Sequence, residues 1–251
     1  MPNVGREWEQ YDEVEVDATP EQVWEAIATG PGYDSWFMGR TELDPGEGGA
    51  VRTDLGGYVM ESTITEWEPL RRFAFRGDES PDGRFIAFQF FIEGRERSGT
   101  TLRLVTNGFL PGDDWEAEFE AMRIGGAMYF ATLVAYLTHF AGRTATPITV
   151  SAPAVPYAVA VFERLPEALG LAAEPAVGDR TRVAPDGLPE IDGVVDFVNR
   201  DAIGIRTHDA LYRFVRGFDG PMVVTHHVFA ESVDRKEAEQ AWRAWLARLS
   251  A

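Results

Sequence analysis

The sequence contains no cysteine, which removes disulfides, thiolate metal sites, iron–sulfur clusters and thiol nucleophiles from consideration. It has a single lysine, Lys236, against 22 arginines, so lysine Schiff-base chemistry has almost no material. Its four histidines show neither H-x-x-x-H nor H-E-x-x-H spacing. His226 and His227 are neighbours in a strand and point to opposite faces, so no metal site is expected. There is no G-x-S-x-G elbow, no phosphate-binding P-loop and no dinucleotide-binding G-x-G-x-x-G, and Gly46-Glu47-Gly48-Gly49 reads as a turn. No cofactor is therefore expected. Basic residues are scarce as well: 23 against 41 acids, for a net charge of −18. That balance excludes non-specific nucleic-acid binding and docking on anionic membranes, both of which need positive patches. Met1 to Trp8 shows no apolar signal core, so a cytoplasmic location is expected. No feature sets an oligomeric state.

What is present is material for a core. Forty-five per cent of the 251 residues are hydrophobic and 12% aromatic, enough for one large domain or two small ones. Ile124 to Gly142 runs without a charge, approaching a membrane span in length. It continues an amphipathic helix, however, predicted over Asp114–Phe140 with Asp113 or Asp114 as N-cap. Trp115, Phe119, Met122, Gly126, Tyr129, Leu133, Tyr136 and Phe140 form its stripe at alternating spacings of four and three. A soluble packing helix is the reading that follows.

Ahead of that helix the pattern reads strand, helix, then several strands. Glu13 to Asp17 alternates as a strand. Thr19-Pro20-Glu21-Gln22 opens a helix with a capping-box pattern and proline at its first position, and Gly30-Pro31-Gly32 ends it. An aromatic turn, Tyr33 to Phe37, follows. Strands are predicted near Ala50–Thr53, Val59–Trp67, Arg72–Arg76, Phe85–Ile92 and Thr101–Asn107. The rest of the chain reads as a shorter, diverged copy. A gapless shift of 130 lays Gly48–Arg76 on Gly178–Arg206, and Glu66 falls on Asp196. Val16-Asp17-Ala18 resembles Val150-Ser151-Ala152, with the following helix at Tyr157–Leu169, and Leu102–Phe109 resembles Met222–Phe229. A terminal helix, Asp234–Leu249, replaces the long one. The predicted domains are 1–143 and 147–251.

The run Ala18-Thr19-Pro20-Glu21-Gln22-Val23-Trp24-Glu25-Ala26-Ile27, then Trp36-Phe37, then Glu66-Trp67-Glu68-Pro69-Leu70-Arg71-Arg72-Phe73, resembles the SRPBCC, or START-like helix-grip, superfamily. Within it, the chain is similar to the branch named for activators of the heat-shock-protein-90 ATPase. The resemblance covers residues 8–141 well and 147–251 weakly. It implies an α+β helix-grip fold, a curved antiparallel sheet around a long C-terminal helix with a cavity between them, in two tandem units. The superfamily includes polyketide cyclases and aromatases, sometimes as two-domain chains, and the branch name implies a chaperone partner as an alternative. A fold with so many uses does not by itself decide among them.

The expected function is binding of a small apolar or aromatic ligand between the sheet and the long helix of the first unit. The candidate lining is Trp24, Trp36, Phe37 and Tyr58, with Phe73, Phe75, Phe88, Phe90 and Leu104 from the strands. Trp115, Phe119, Met122 and Tyr129 come from the long helix, where Gly125-Gly126 would leave room. The alternative is that these side chains form a packed core. Glu66 is the one candidate acid: if Glu68 to Arg71 form the turn, it pairs with Phe73 and shares the apolar face. No second acid or base is placed beside it by spacing. Residues 1–146 carry 26 acids and 12 arginines, and residues 147–251 carry 15 acids and 11 bases. The acidity thus belongs mainly to the unit expected to hold the ligand, which should be neutral or cationic.

Overall fold

The structure is a computed structural model that describes residues 5–95, 99–113, 115–152, 158–217 and 222–250. Two compact units divide the chain, Met1–Thr144 and Ala145–Ala251.

Unit 1 begins with strand β1 (Gly5–Val16), then α1 (Pro20–Ala28) and a single turn, α2 (Gly30–Tyr33). Six strands follow: β2 (Arg40–Leu43), β3 (Ala50–Asp54), β4 (Val59–Glu68), β5 (Arg72–Gly77), β6 (Phe85–Gly94) and β7 (Thr100–Pro111). The long helix α3 (Trp115–His139) closes the unit; its expected first residue, Asp114, lies outside the described residues. The start of α1 is built as its sequence dictates. Thr19 Oγ1 accepts from the Gln22 amide at 3.3 Å, and Gln22 Oε1 accepts from the Thr19 amide at 2.9 Å. This reciprocal pairing satisfies two amides that no helical carbonyl can reach. Gly30-Pro31-Gly32 does more than end α1. Thr29 caps the new turn by accepting from the Gly32 amide at 3.0 Å. A Cβ on Gly32 would lie 1.9 Å from the Glu25 carbonyl oxygen, so only glycine allows the chain to double back this closely.

All strand pairs are antiparallel, in the order β1-β7-β6-β5-β4-β3-β2. Phe73, Phe75, Phe90, Leu102 and Leu104 project from one face and are buried. The same face carries Trp8, Gln10 and Asp12 on β1. Helix α3 packs against β1, β7 and α1.

Strand β4 departs from the expected hairpin. The turn is Pro69-Leu70-Arg71, so Glu68 pairs with Arg72, Trp67 with Phe73 and Glu66 with Ala74. A bulge between Ile64 and Glu66 restores the pairing of Ile64 with Phe75. An extra residue in one strand reverses which side chains face the core. Trp67 therefore turns inward, against Trp24 at a centroid distance of 5.0 Å, and Glu66 turns outward, 3.4 Å from Arg72 Nε. The register corrects the placement of Glu66 on the apolar face.

Among the described residues, unit 2 repeats the plan with one strand fewer. It contains β8 (Thr146–Ser151), α4 (Ala158–Ala168), β9 (Arg180–Val183), β10 (Ile191–Asn199), β11 (Ala202–Arg206), β12 (Ala210–Arg216), β13 (Met222–Val228) and α5 (Arg235–Leu249). Tyr157, expected at the start of α4, lies outside the described residues. The sheet order β8-β13-β12-β11-β10-β9 reproduces that of unit 1, with no counterpart of β2 among the described residues. The backbone bonds recur too: the Gly48 amide donates to Ile64 and the Gly178 amide to Val195, while Ile64 donates to Gly49 and Val195 to Asp179. These pairs correct the gapless shift. The 130-residue offset holds for β9 and β11, but β10 sits one residue later, and its turn to β11 is shortened to Arg200-Asp201. Glu66 therefore corresponds to Phe197, and Asp196 has a role of its own. Its carboxylate pairs in parallel with Arg213, at 2.9 and 2.8 Å, lying over Gly204. A Cβ there would come within 2.7 Å of the guanidinium and 2.9 Å of the carboxylate.

The core of unit 2 is filled by Phe214, Trp242, Trp245, Leu246 and aliphatic side chains of the sheet. His226 lies among them, its ring 4.3 Å from that of Trp242, with Nδ1 accepting from the Arg213 amide at 3.0 Å. Among the described residues, no helix is long and apolar enough to cross a membrane.

Candidate functional site

A cavity of about 250 Å³ lies between the inner face of the unit 1 sheet and α3. Its size follows from two local features. On α3, Met122, Gly125, Gly126, Tyr129 and Phe130 face the cavity, the i, i+3, i+4, i+7, i+8 positions of one helical face. At its centre stand the two glycines. A Cβ on Gly125 would meet nothing within 4 Å, and one on Gly126 would meet only the end of the Gln10 side chain, at 3.8 Å. Mid-helix glycine costs roughly 1 kcal/mol relative to alanine, so the space is maintained against helix propensity.

The second feature is the aromatic turn after α2. Trp36 Nε1 donates to the Ala26 carbonyl at 2.9 Å, which ties the turn to the end of α1, and Thr41 N donates to Asp34 Oδ1 at 2.6 Å. Tyr33, Trp36 and Phe37 are held ring against ring, at 4.7 and 5.1 Å from Tyr33, and Phe37 reaches Tyr129 of α3 at 4.7 Å. The sheet supplies Ile86, Phe88 and Phe90 of β6, Leu104 and Thr106 of β7, and Met60 of β4.

Of the expected lining, Trp36, Phe37, Phe88, Phe90, Leu104, Met122 and Tyr129 are brought together at this cavity. The others lie elsewhere. Phe73 and Phe75 are fully buried behind Phe90 and Phe88. Trp24 packs on Trp67 and Phe73 in the α1–sheet core. Trp115 and Phe119 lie one layer out, where Phe119 contacts Trp8 at 5.4 Å. Tyr58 is 68% exposed on the β3–β4 turn. Glu66 is on the outer face.

The polar part of the wall was not anticipated. Trp8, Gln10 and Asp12 of β1 line the cavity, and Gln10 Nε2 donates to Asp12 Oδ2 at 2.9 Å. The Trp8 ring lies over Gly108, where a Cβ would be 3.1 Å from it. Its Nε1 is buried without a hydrogen-bond partner among the described residues. A signal existed: Glu7, Glu9, Glu13 and Glu15 alternate with Trp8, Gln10, Val14 and Val16, which marks one wet and one dry face. The two phenols cannot serve as bases near neutral pH. Burial pushes the Tyr33 hydroxyl above the usual tyrosine range, with Tyr129 adding to the shift, and burial does the same to Tyr129. Tyr129 instead donates to Met38 Sδ at 2.9 Å. Among the described lining residues Asp12 is the one carboxylate, with Gln10 and Thr106 as the neutral polar groups of a mainly apolar wall. Among the described residues, no group of His, Asp and Glu side chains could hold a metal ion.

Residues 8–136 match the family model described as polyketide cyclase / dehydrase and lipid transport. No curated protein matches the chain. Among solved structures, the chain is similar to the di-domain ARO/CYC BexL from the BE-7585A biosynthetic pathway, at 16% identity and a TM-score of 0.46, covering 97% of this chain and 95% of that one. It is also similar to the Aha1 dimer from Colwellia psychrerythraea, at 18% identity and a TM-score of 0.42, covering 52% of this chain and 96% of that one. A third, protein BH1534 of Bacillus halodurans, has 22% identity and a TM-score of 0.45, covering 53% and 99%. The family match spans more than half of the 251 residues and includes every residue that lines the cavity, so the chain belongs to the polyketide cyclase / dehydrase and lipid transport family.

Proposed function

We propose that unit 1 binds a small apolar or aromatic ligand in the cavity between its sheet and α3. The observation that carries this reading is the open space at Gly125, surrounded by aromatic side chains from four separate elements. A close-packed interior has few voids larger than a water molecule, whereas a dry cavity of about 150 Å³ already accepts benzene. At about 250 Å³, this one suits a compound of about two fused rings. Native mass spectrometry of freshly purified protein, before and after adding 2-naphthylmethanol, tests it. The expected result is a retained or saturable one-to-one adduct. Protein that carries nothing and takes up none of this neutral two-ring probe contradicts the proposal.

An enzymatic, cyclase-like reading is supported by one specific observation, the Asp12–Gln10 pair at the cavity wall. Holding a flexible substrate in a single conformation is itself a large part of such catalysis, and a carboxylate within reach could move a proton. On that reading, Asp12→Asn abolishes turnover while leaving substrate affinity in place.

A further inference from the structure

The cavity wall is electrostatically one-sided. Asp12 projects from the same face of β1 as Trp8 and Gln10 and lines the cavity. Its partner there is a neutral amide, Gln10 Nε2. Among the described lining residues there is no arginine, lysine or histidine to neutralise the carboxylate. The surrounding unit adds to this field rather than opposing it, with 26 acids against 12 arginines in residues 1–146. Asp12 is half-buried, and a ligand that carries a positive charge supplies the counter-charge its carboxylate lacks on this wall. The remaining wall is compatible with the same charge, because it includes the aromatic residues Trp8, Phe37, Phe88, Phe90 and Tyr129, and cations are attracted to aromatic rings.

We infer that the cavity is selective for an aromatic or alicyclic amine, bound as its ammonium ion with Asp12 as counter-ion, and that it rejects carboxylates of the same shape. This inference rests on the cavity being a ligand site. Gln10 then acts as a positioning residue that holds the Asp12 carboxylate in place, and Gly126 leaves room for the Gln10 side chain against α3. Fatty-acid-like ligands, with an anionic head, are disfavoured by the same field.

The test is calorimetric titration at pH 7 with three probes on one skeleton: 2-naphthylmethylamine, 2-naphthylmethanol and 2-naphthoate. Each is measured against the wild-type protein and Asp12→Asn. A charge-assisted hydrogen bond is about twice as strong as a neutral one. The amine is therefore expected to bind about tenfold more tightly than the alcohol, with the carboxylate weakest. Asp12→Asn should bring amine and alcohol to similar affinity without weakening the alcohol. Equal binding of amine and alcohol by the wild-type protein, or tightest binding of the carboxylate, overturns the inference and leaves the ligand site standing. An amine preference that survives Asp12→Asn overturns the role of Asp12. Failure of all three probes to bind overturns the ligand site and the inference together. The wild-type comparison decides the selectivity even where the variant does not fold.

Discussion

Replacing Gly125 by alanine and by leucine separates a working cavity from an imperfectly filled core. Gly125 is helical, and its added Cβ would meet no atom within 4 Å. Alanine therefore carries no steric cost and recovers the helix-propensity difference, about 1 kcal/mol. For a unit of this size that is a rise in Tm of roughly 3 °C. Leucine extends into the same space. In a cavity, its added methylenes gain up to about 2 kcal/mol by leaving water, so the melting temperature holds or rises while the ligand's place is taken. In a filled core, the same side chain overpacks and costs about 1–3 kcal/mol. The assay is a thermal melt paired with 2-naphthylmethanol uptake. The expected pattern is Gly125→Leu at least as stable as wild type, with uptake reduced at least about tenfold, a loss of about 1.4 kcal/mol in binding. A fall of several degrees for leucine, or undiminished uptake, refutes the reasoning.

Three further outcomes follow from the fold. Thr19→Ala removes the capping box of α1 and should cost about 1 kcal/mol in denaturant unfolding; an unchanged midpoint would contradict the cap's contribution. Asp196→Ala leaves the Arg213 guanidinium, 1% exposed, buried without its carboxylate, and should destabilise unit 2 by about 3–5 kcal/mol; a loss under 1 kcal/mol would show the pair to be solvated. His226 is held well below the usual histidine pKa by burial, then by His227 and Arg213. Above about pH 6.5 both folded and unfolded states carry it neutral. Below that, the unfolded chain takes up a proton that the folded one excludes, so stability falls as pH falls, by up to about 1.4 kcal/mol per pH unit. Melts from pH 7.5 to 5.0 should show this slope, and His226→Asn should flatten it; equal slopes would contradict the assignment.

The legible parts of the fold are those whose causes are local. The cap, proline and apolar face of α1 sit within a few residues, and the α3 stripe repeats over many turns, so both can be read directly. Strand β2 is a four-residue edge, Arg40-Thr41-Glu42-Leu43, too short and polar for alternation to show. Strand β1 was legible over Glu13–Val16 but not from Gly5, because its inner face there is Trp8, Gln10 and Asp12. Apolar alternation fails where the dry face itself carries polar groups, and that failure hid a third wall of the candidate site. Glu66 was misplaced for a different reason. A bulge after Ile64 leaves no mark in the pattern of residue types, yet it reverses every side chain up to the turn. The repeat was visible in the order of elements, whereas the one-residue offset of β10 became visible only in backbone hydrogen bonds. The aromatic residues that do line the cavity were found because strand and helix periodicity placed them on inward faces. Trp24, Phe73 and Phe75 share those faces, and depth along a face is set by packing between elements, which no single element encodes.

The most direct test of ligand binding in unit 1 is a two-dimensional amide NMR titration with 2-naphthylmethanol. Saturable shifts should concentrate at Gln10, Thr106, Gly125, Gly126 and Tyr129, whose side chains or backbone border the cavity, and should vanish in Gly125→Leu. Shifts confined to unit 2 or to the outer face of the unit 1 sheet, or no saturable shift at all, would contradict it.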